Sequence, residues 1–202
     1  FRTLENNLGN ALQFERNSRL EVNDVYYSSY TVSFIVIITN LSNDYTIFTS
    51  NNNLNNHFLE IALKNKQIRL TYGLKNDNQK IFSRASIKLS QLNHIAITNK
   101  GGKVNLFVNG KMDESPQLNY ELSIKDITFG MVSTRQYFEG YIGQINIFSK
   151  KMTQSELCNL YNLCTEEEDK GPLITNTNLQ STQSTRQNAS VQSCKDTCNF
   201  IA

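Results

Sequence analysis

The chain has 202 residues, with 20 basic and 18 acidic side chains, 9 Gly, 2 Pro, 4 Cys and no Trp. A net charge of +2 without a basic block argues against nucleic acid as a partner. The longest apolar run, Phe34 to Ile38, falls far short of the roughly 20 residues that span a bilayer, so no membrane insertion of this segment is expected.

From about Ala11 to Phe148 the dominant pattern is short strand-like runs between polar turns. Tyr30 to Ile38 is rich in β-branched and aromatic residues and apolar at both even and odd positions from Phe34 onward, which predicts a central strand covered on both faces. Tyr45 to Thr49, Phe58 to Leu63 and Ile68 to Tyr72 follow as strands. Alternation is clean in His94 to Thr98 and Val104 to Val108, joined by Asn99-Lys100-Gly101-Gly102 as a hairpin turn. Asn109-Gly110 is the strongest hairpin signal, because a type I′ turn needs positive φ at both central residues. Ile124 to Phe129 and Gly140 to Phe148 complete the series, the latter with a bulge expected at Gly143. Many short strands at close spacing predict an all-β fold, a two-sheet antiparallel jelly-roll sandwich.

Thr153-Gln154-Ser155-Glu156 is a capping box that opens one short C-terminal helix, with Leu157, Leu160 and Tyr161 as its apolar stripe. The sandwich and helix are expected to form one domain over 1–164. From 165 to 202 an acidic run and a Ser/Thr/Gln/Asn tract predict a polar, irregular and extended tail or linker. With no initiator Met and no signal-peptide pattern, the chain is expected to be a piece of something longer.

The cysteines, Cys158, Cys164, Cys194 and Cys198, cluster at the end and read as a disulfide clasp joining helix to tail. Cys158 and Cys164 are six residues apart, about 240° around a helix, so they do not pair with each other if the helix continues. A zinc site is the rival reading. If bridged, the setting is oxidising: secreted, cell-surface or lumenal. The glycosylation sequons at Asn40 and Asn188 are compatible with that.

The order of these elements resembles the laminin G-like modules of the concanavalin A-like lectin/glucanase superfamily. The resemblance is carried by Gly9 to Phe14, Tyr30 to Phe34, Leu92 to Thr98 with Val104 to Lys111, Phe129-Gly130, Phe138 to Ile145 and Thr153 to Tyr161. It departs from the family at Ile35 and Leu92, where the family commonly places structural Trp and aliphatic volume is expected to substitute. The resemblance implies a non-enzymatic recognition or adhesion module of a larger extracellular or surface assembly, with protein or glycan partners. A carbohydrate-binding lectin domain and a purely structural subunit anchored by the tail are the alternatives.

Within the family, Ca²⁺ is often held by oxygen ligands at the rim, and the candidates here are Asp24, Asp44 and Asp77 in predicted loops. With no Trp, sugar stacking falls to Tyr26, Tyr27, Tyr45, Tyr72, Tyr120 or Tyr137. Of these, Tyr26, Tyr27 and Tyr137 lie in predicted loops and are preferred. Hydrolysis is not expected. Glu60 and Glu139 read as isolated, Asp113 and Glu114 point to opposite faces of one strand, and His57, in an Asn-rich loop, and His94, opening a strand, belong to no Ser/His/acid constellation.

Overall fold

Strand propensity and turn chemistry together produce 13 strands and one helix among the described residues of this computed structural model. Those residues are 3–6, 9–15, 18–40, 44–52, 55–130 and 138–162, with side chains described from Ala11 onward. All belong to the first of two units into which the chain divides, Phe1–Thr165 and Glu166–Ala202. The expected tail, with Cys194, Cys198 and Asn188, lies outside the described residues, as do Tyr137 and Cys164.

The strands are β1 (Thr3–Asn6), β2 (Gly9–Phe14), β3 (Arg19–Tyr27), β4 (Tyr30–Ile38), β5 (Tyr45–Asn52), β6 (His57–Lys64), β7 (Gln67–Leu74), β8 (Asp77–Ser86), β9 (Leu92–Lys100), β10 (Lys103–Val108), β11 (Lys111–Glu114), β12 (Ile124–Gly130) and β13 (Gly140–Phe148), followed by helix α1 (Gln154–Tyr161). One sheet runs β1-β2-β13-β4-β9-β10-β11 and the other β3-β12-β5-β6-β7-β8, all pairs antiparallel. The fold is a two-sheet jelly-roll sandwich, as the strand pattern predicts.

Alternation builds the core. Val32, Phe34, Val36 and Ile38 of β4 point between the sheets and meet Phe48, Ile61, Leu70, Ile127 and Phe129 of the opposite sheet. Phe129 packs edge-on against both Phe34 (centroids 5.4 Å apart) and Phe48 (5.3 Å), the geometry that aromatic quadrupoles favour. Both expected hairpins form. Gly101 and Gly102 have φ of 56° and 75°, and Asn109 and Gly110 have φ of 52° and 80°. The Asn109 side chain also ties this turn to the neighbouring strand β9, its Oδ1 accepting from the His94 N–H at 2.9 Å.

Bulges reset the alternation. In β13 the register shifts between Gly143 and Asn146, with Gln144 at φ 48°. Ile142 before the shift and Ile147 after it both face the core, so the inward phase passes from even to odd positions. In β3, Leu20 and Val22 pack on the core before the break and Val25 and Tyr27 after it, with Asp24 at φ 62° between them.

Helix α1 covers part of the outer face of the larger sheet, where Leu157 packs with Ala96, Phe107 and Met152. Its capping box forms as read: Thr153 Oγ1 accepts from the Glu156 N–H at 3.2 Å, and the Glu156 carboxylate accepts from the Thr153 N–H at 2.7 Å. The buried stripe differs from the expected one. Leu157 and Cys158 are buried, Tyr161 is half-buried, and Leu160 is 41% exposed. Leu92 also corrects its expectation: at 51% exposed it fills no core volume, whereas Ile35 is buried.

Candidate functional site at the sheet rim

Several strands of the smaller sheet end together. Register places Asn52 opposite His57, His57 opposite Leu74, and Leu74 opposite Asp77, while Tyr27 faces Ile124 at the start of β12. The segment leading into β12 brings Tyr120 and Ser123 to the same rim.

Ser123 is the hub. Its Oγ accepts from Asn52 Nδ2 at 2.8 Å and from Asn55 Nδ2 at 3.2 Å, and stands 2.8 Å from His57 Nδ1. The Ser123 backbone N–H donates to that same Nδ1 at 3.0 Å. Nδ1 is therefore unprotonated, the Ser123 hydroxyl hydrogen points to it, and the His57 proton sits on Nε2. A hydroxyl with one donor and two acceptor sites is thereby fully used. Burial holds the His57 pKa below its ordinary value, in keeping with a neutral ring.

Asn55 extends the network outward. Its Nδ2 also donates to the Tyr26 hydroxyl at 3.1 Å, while the Tyr26 side chain remains 51% exposed. The Tyr120 ring stacks on His57, with centroids 5.9 Å apart and planes inclined by 21°. The rim thus carries an exposed aromatic face pinned at its hydroxyl, a second aromatic pair beside it, and an imidazole N–H. The His57 Nδ1 lone pair is shared between the Ser123 hydroxyl and the Ser123 backbone N–H, and among the described residues no carboxylate is hydrogen-bonded to the ring.

The expected site residues are distributed unevenly around this rim. Tyr26 belongs to it, but as a residue of β3 and not of a loop. Tyr27, also in β3, packs against the core. Tyr45 and Tyr72 are buried.

The three aspartates do not converge. Asp24 sits in the bulge of edge strand β3, whereas Asp77 opens β8 on the opposite edge, five strand spacings or about 24 Å away. Asp44 precedes β5 at the far end and is ion-paired with Lys64 at 3.4 Å. Among the described residues no group of three His, Cys, Asp or Glu side chains could hold a metal ion, so Asp24, Asp44 and Asp77 do not form one shared ligand set.

Asp113 and Glu114 both reach β8: Asp113 accepts from the Arg84 and Ala85 N–H groups at 2.7 and 2.8 Å, and Glu114 from Arg84 Nε at 2.9 Å. Glu60 is held by Arg69 at 2.8 Å. Glu139 is not isolated, because it lines an open hollow together with Glu15. Asn40 is exposed directly after β4. The Cys158 sulfur is buried, 3.5 Å from the Gly110 carbonyl oxygen. The helix ends at Tyr161 with Asn162 in a left-handed cap, so the angular objection to a Cys158–Cys164 pair has no continuing helix to rest on.

Asn55 and Ser123 carried no signal in the sequence. Each is an ordinary turn residue until the topology joins positions 66 to 71 residues apart.

Comparisons with known proteins accord with this architecture. Domain 4 of AbnA, an extracellular GH43 arabinanase from Geobacillus stearothermophilus solved with arabinotriose, superimposes with a TM-score of 0.65 at 20% identity, over 78% of this chain and 79% of that one. A heptameric SAP-like pentraxin from Limulus polyphemus gives 0.60 at 14% identity, over 73% and 79%. Domains LG4-5 of the mouse laminin alpha1 chain give 0.57 at 13% identity, over 72% of this chain and 43% of that one. At these identities the likeness is one of fold. No curated protein sequence matches the chain. The Laminin_G_3 family model, described as the concanavalin A-like lectin/glucanases superfamily, matches residues 12–158, and the chain belongs to that family.

Proposed function

We propose that this chain is a non-catalytic recognition module of an extracellular or surface assembly, and that it binds a glycan at the Tyr26–Asn55–His57–Tyr120 rim. The observation that carries this reading is the exposed Tyr26 ring held by Asn55 on a hub already saturated with hydrogen bonds. A sugar presents an apolar C–H face and a fringe of hydroxyls. The face stacks on Tyr26, and the hydroxyls meet the Asn55 carbonyl as acceptor and the His57 Nε2–H as donor. Because the amide and imidazole are held before any ligand arrives, little side-chain entropy is lost on binding.

The family and the arabinotriose-bound relative support a glycan as ligand. The same setting suits a disulfide between Cys158 and one of the later cysteines, which a mass shift on reduction would reveal, and a glycan on exposed Asn40. We read 1–164 as the binding domain and 165–202 as its polar tail.

A glycan array probed with the purified chain tests the central reading. Signal should appear on defined oligosaccharides and disappear in Tyr26→Ala, with thermal stability unchanged. An array without signal, or signal that survives both Tyr26→Ala and Asn55→Ala, would overturn it.

A further inference from the structure

The outer face of the larger sheet is only partly covered by α1. Phe14, Ile38 and Ile142 point into the core, so their neighbours along each strand point outward. Register sets four of these in a single row: Leu92 opposite Ile37, Ile37 opposite Tyr141, and Tyr141 opposite Gln13. Leu92 is 51% exposed, and Leu89, in the turn that reaches back to the end of β4 through the Ser90 N–H to Ile38 carbonyl bond, is 45% exposed.

One step further along the strands stand Thr39, Glu139 and Glu15. With Gln13 and Tyr141 they line an open hollow of about 190 Å³. Glu139 and Glu15 each adjoin the Gly140–Phe14 pair, just beyond the paired ends of β13 and β2. Among the described residues neither carboxylate takes part in an ion pair, and the Glu15 carboxylate accepts from the neutral Gln13 amide alone, at 3.1 Å. No cation among those residues compensates either carboxylate.

We propose that this face docks a protein partner through a basic side chain set beside aliphatic ones. The cation would lie between Glu15 and Glu139 against the Tyr141 ring, and the aliphatic groups on Ile37 and Leu92. The charge pattern selects this occupant. Two uncompensated carboxylates beside an aromatic wall favour a guanidinium or ammonium, and the adjoining row favours the carbon stem and apolar neighbours that accompany such a group in a peptide. The surface is separate from the glycan rim and stands or falls independently of it.

The test uses the whole chain, two peptides and two variants. Acetyl-Leu-Leu-Arg-amide and its Leu-Leu-Gln analogue are titrated while backbone-amide shifts are followed. The arginine peptide should bind about fivefold or more tightly than its analogue, shifting residues of β2, β4 and β13. In Glu15→Gln and Glu139→Gln that preference should vanish, while both variants melt within about 1 °C of the parent, as surface substitutions do. Tyr26→Ala should leave the preference intact. Equal binding of the two peptides, a preference that persists in both Gln variants, or melting temperatures that fall in them would overturn the proposal.

Discussion

His94 ties stability to pH in a way that its surroundings dictate. It lies on the outer face of β9, 2% exposed, with its ring 4.2 Å from that of Tyr161. Both ring nitrogens lack a hydrogen-bond partner among the described residues. The Tyr161 hydroxyl is engaged by Ser33 at 2.7 Å and Asn146 at 2.8 Å, and so is directed elsewhere. Burial lowers the His94 pKa from 6.5 to about 4. Above pH 6.5 the residue is neutral in folded and unfolded chains alike and adds no pH dependence. As pH falls from 6.5 toward 4, the unfolded chain takes up a proton that the folded one refuses. Stability therefore drops across that window and the loss is complete below it. The shift corresponds to about 3 kcal/mol, or roughly 6–12 °C in melting temperature for a unit of this size. Urea denaturation at pH 7, 5.5 and 4 of the parent and of His94→Phe, which keeps a ring against Tyr161, isolates the effect, since carboxylate titration is common to both. The stability gap between the two should change by about 3 kcal/mol over that range in favour of the variant at low pH. Parallel pH profiles, or a His94 titration midpoint near 6.5 by NMR, would refute the reasoning.

Three further substitutions probe the construction. Thr153→Ala removes the capping box and should cost about 1 kcal/mol, seen in urea denaturation and as faster amide exchange in the first turn of α1. Ser123→Ala takes away the acceptor of the Asn52 and Asn55 amides and should cost about 1–3 kcal/mol by the same denaturation, whereas exposed Tyr26→Ala should be nearly neutral. Gly140→Ala places a Cβ 2.2 Å from the Ile37 carbonyl oxygen at φ 150°. It should destabilise by about 3 kcal/mol or more, or prevent folding, as judged by thermal melting.

The parts of the fold legible in the sequence were those governed by local rules. Asn109-Gly110 and Gly101-Gly102 announced their hairpins because few other residues tolerate positive φ, and Thr153 with Glu156 announced the helix start. The central strands β4 and β9 were plain because their inward faces are apolar. Strands β3 and β8 were not, since as sheet edges they expose most of their residues, and the bulge at Asp24 breaks the little alternation that β3 has. The helix stripe was misjudged at Leu160 because amphipathic spacing alone does not say which flank meets the sheet, and Cys158 took the buried place. Of the rim site the sequence marks Tyr26 as a preferred stacking residue, Tyr120 as a lesser one and His57 only as a histidine outside any catalytic constellation. The rest depends on side chains from the β5–β6 turn and the approach to β12 meeting at Ser123, a long-range event that no local pattern encodes.

Mapping the strongest array glycan onto the protein by backbone-amide shift perturbation bears most directly on the recognition reading. The account predicts that shifts concentrate at Tyr26, Asn55, His57, Tyr120 and Ser123, and that Asn55→Ala abolishes them. Shifts centred on the Gln13–Tyr141 hollow, or anywhere away from that rim, would contradict it.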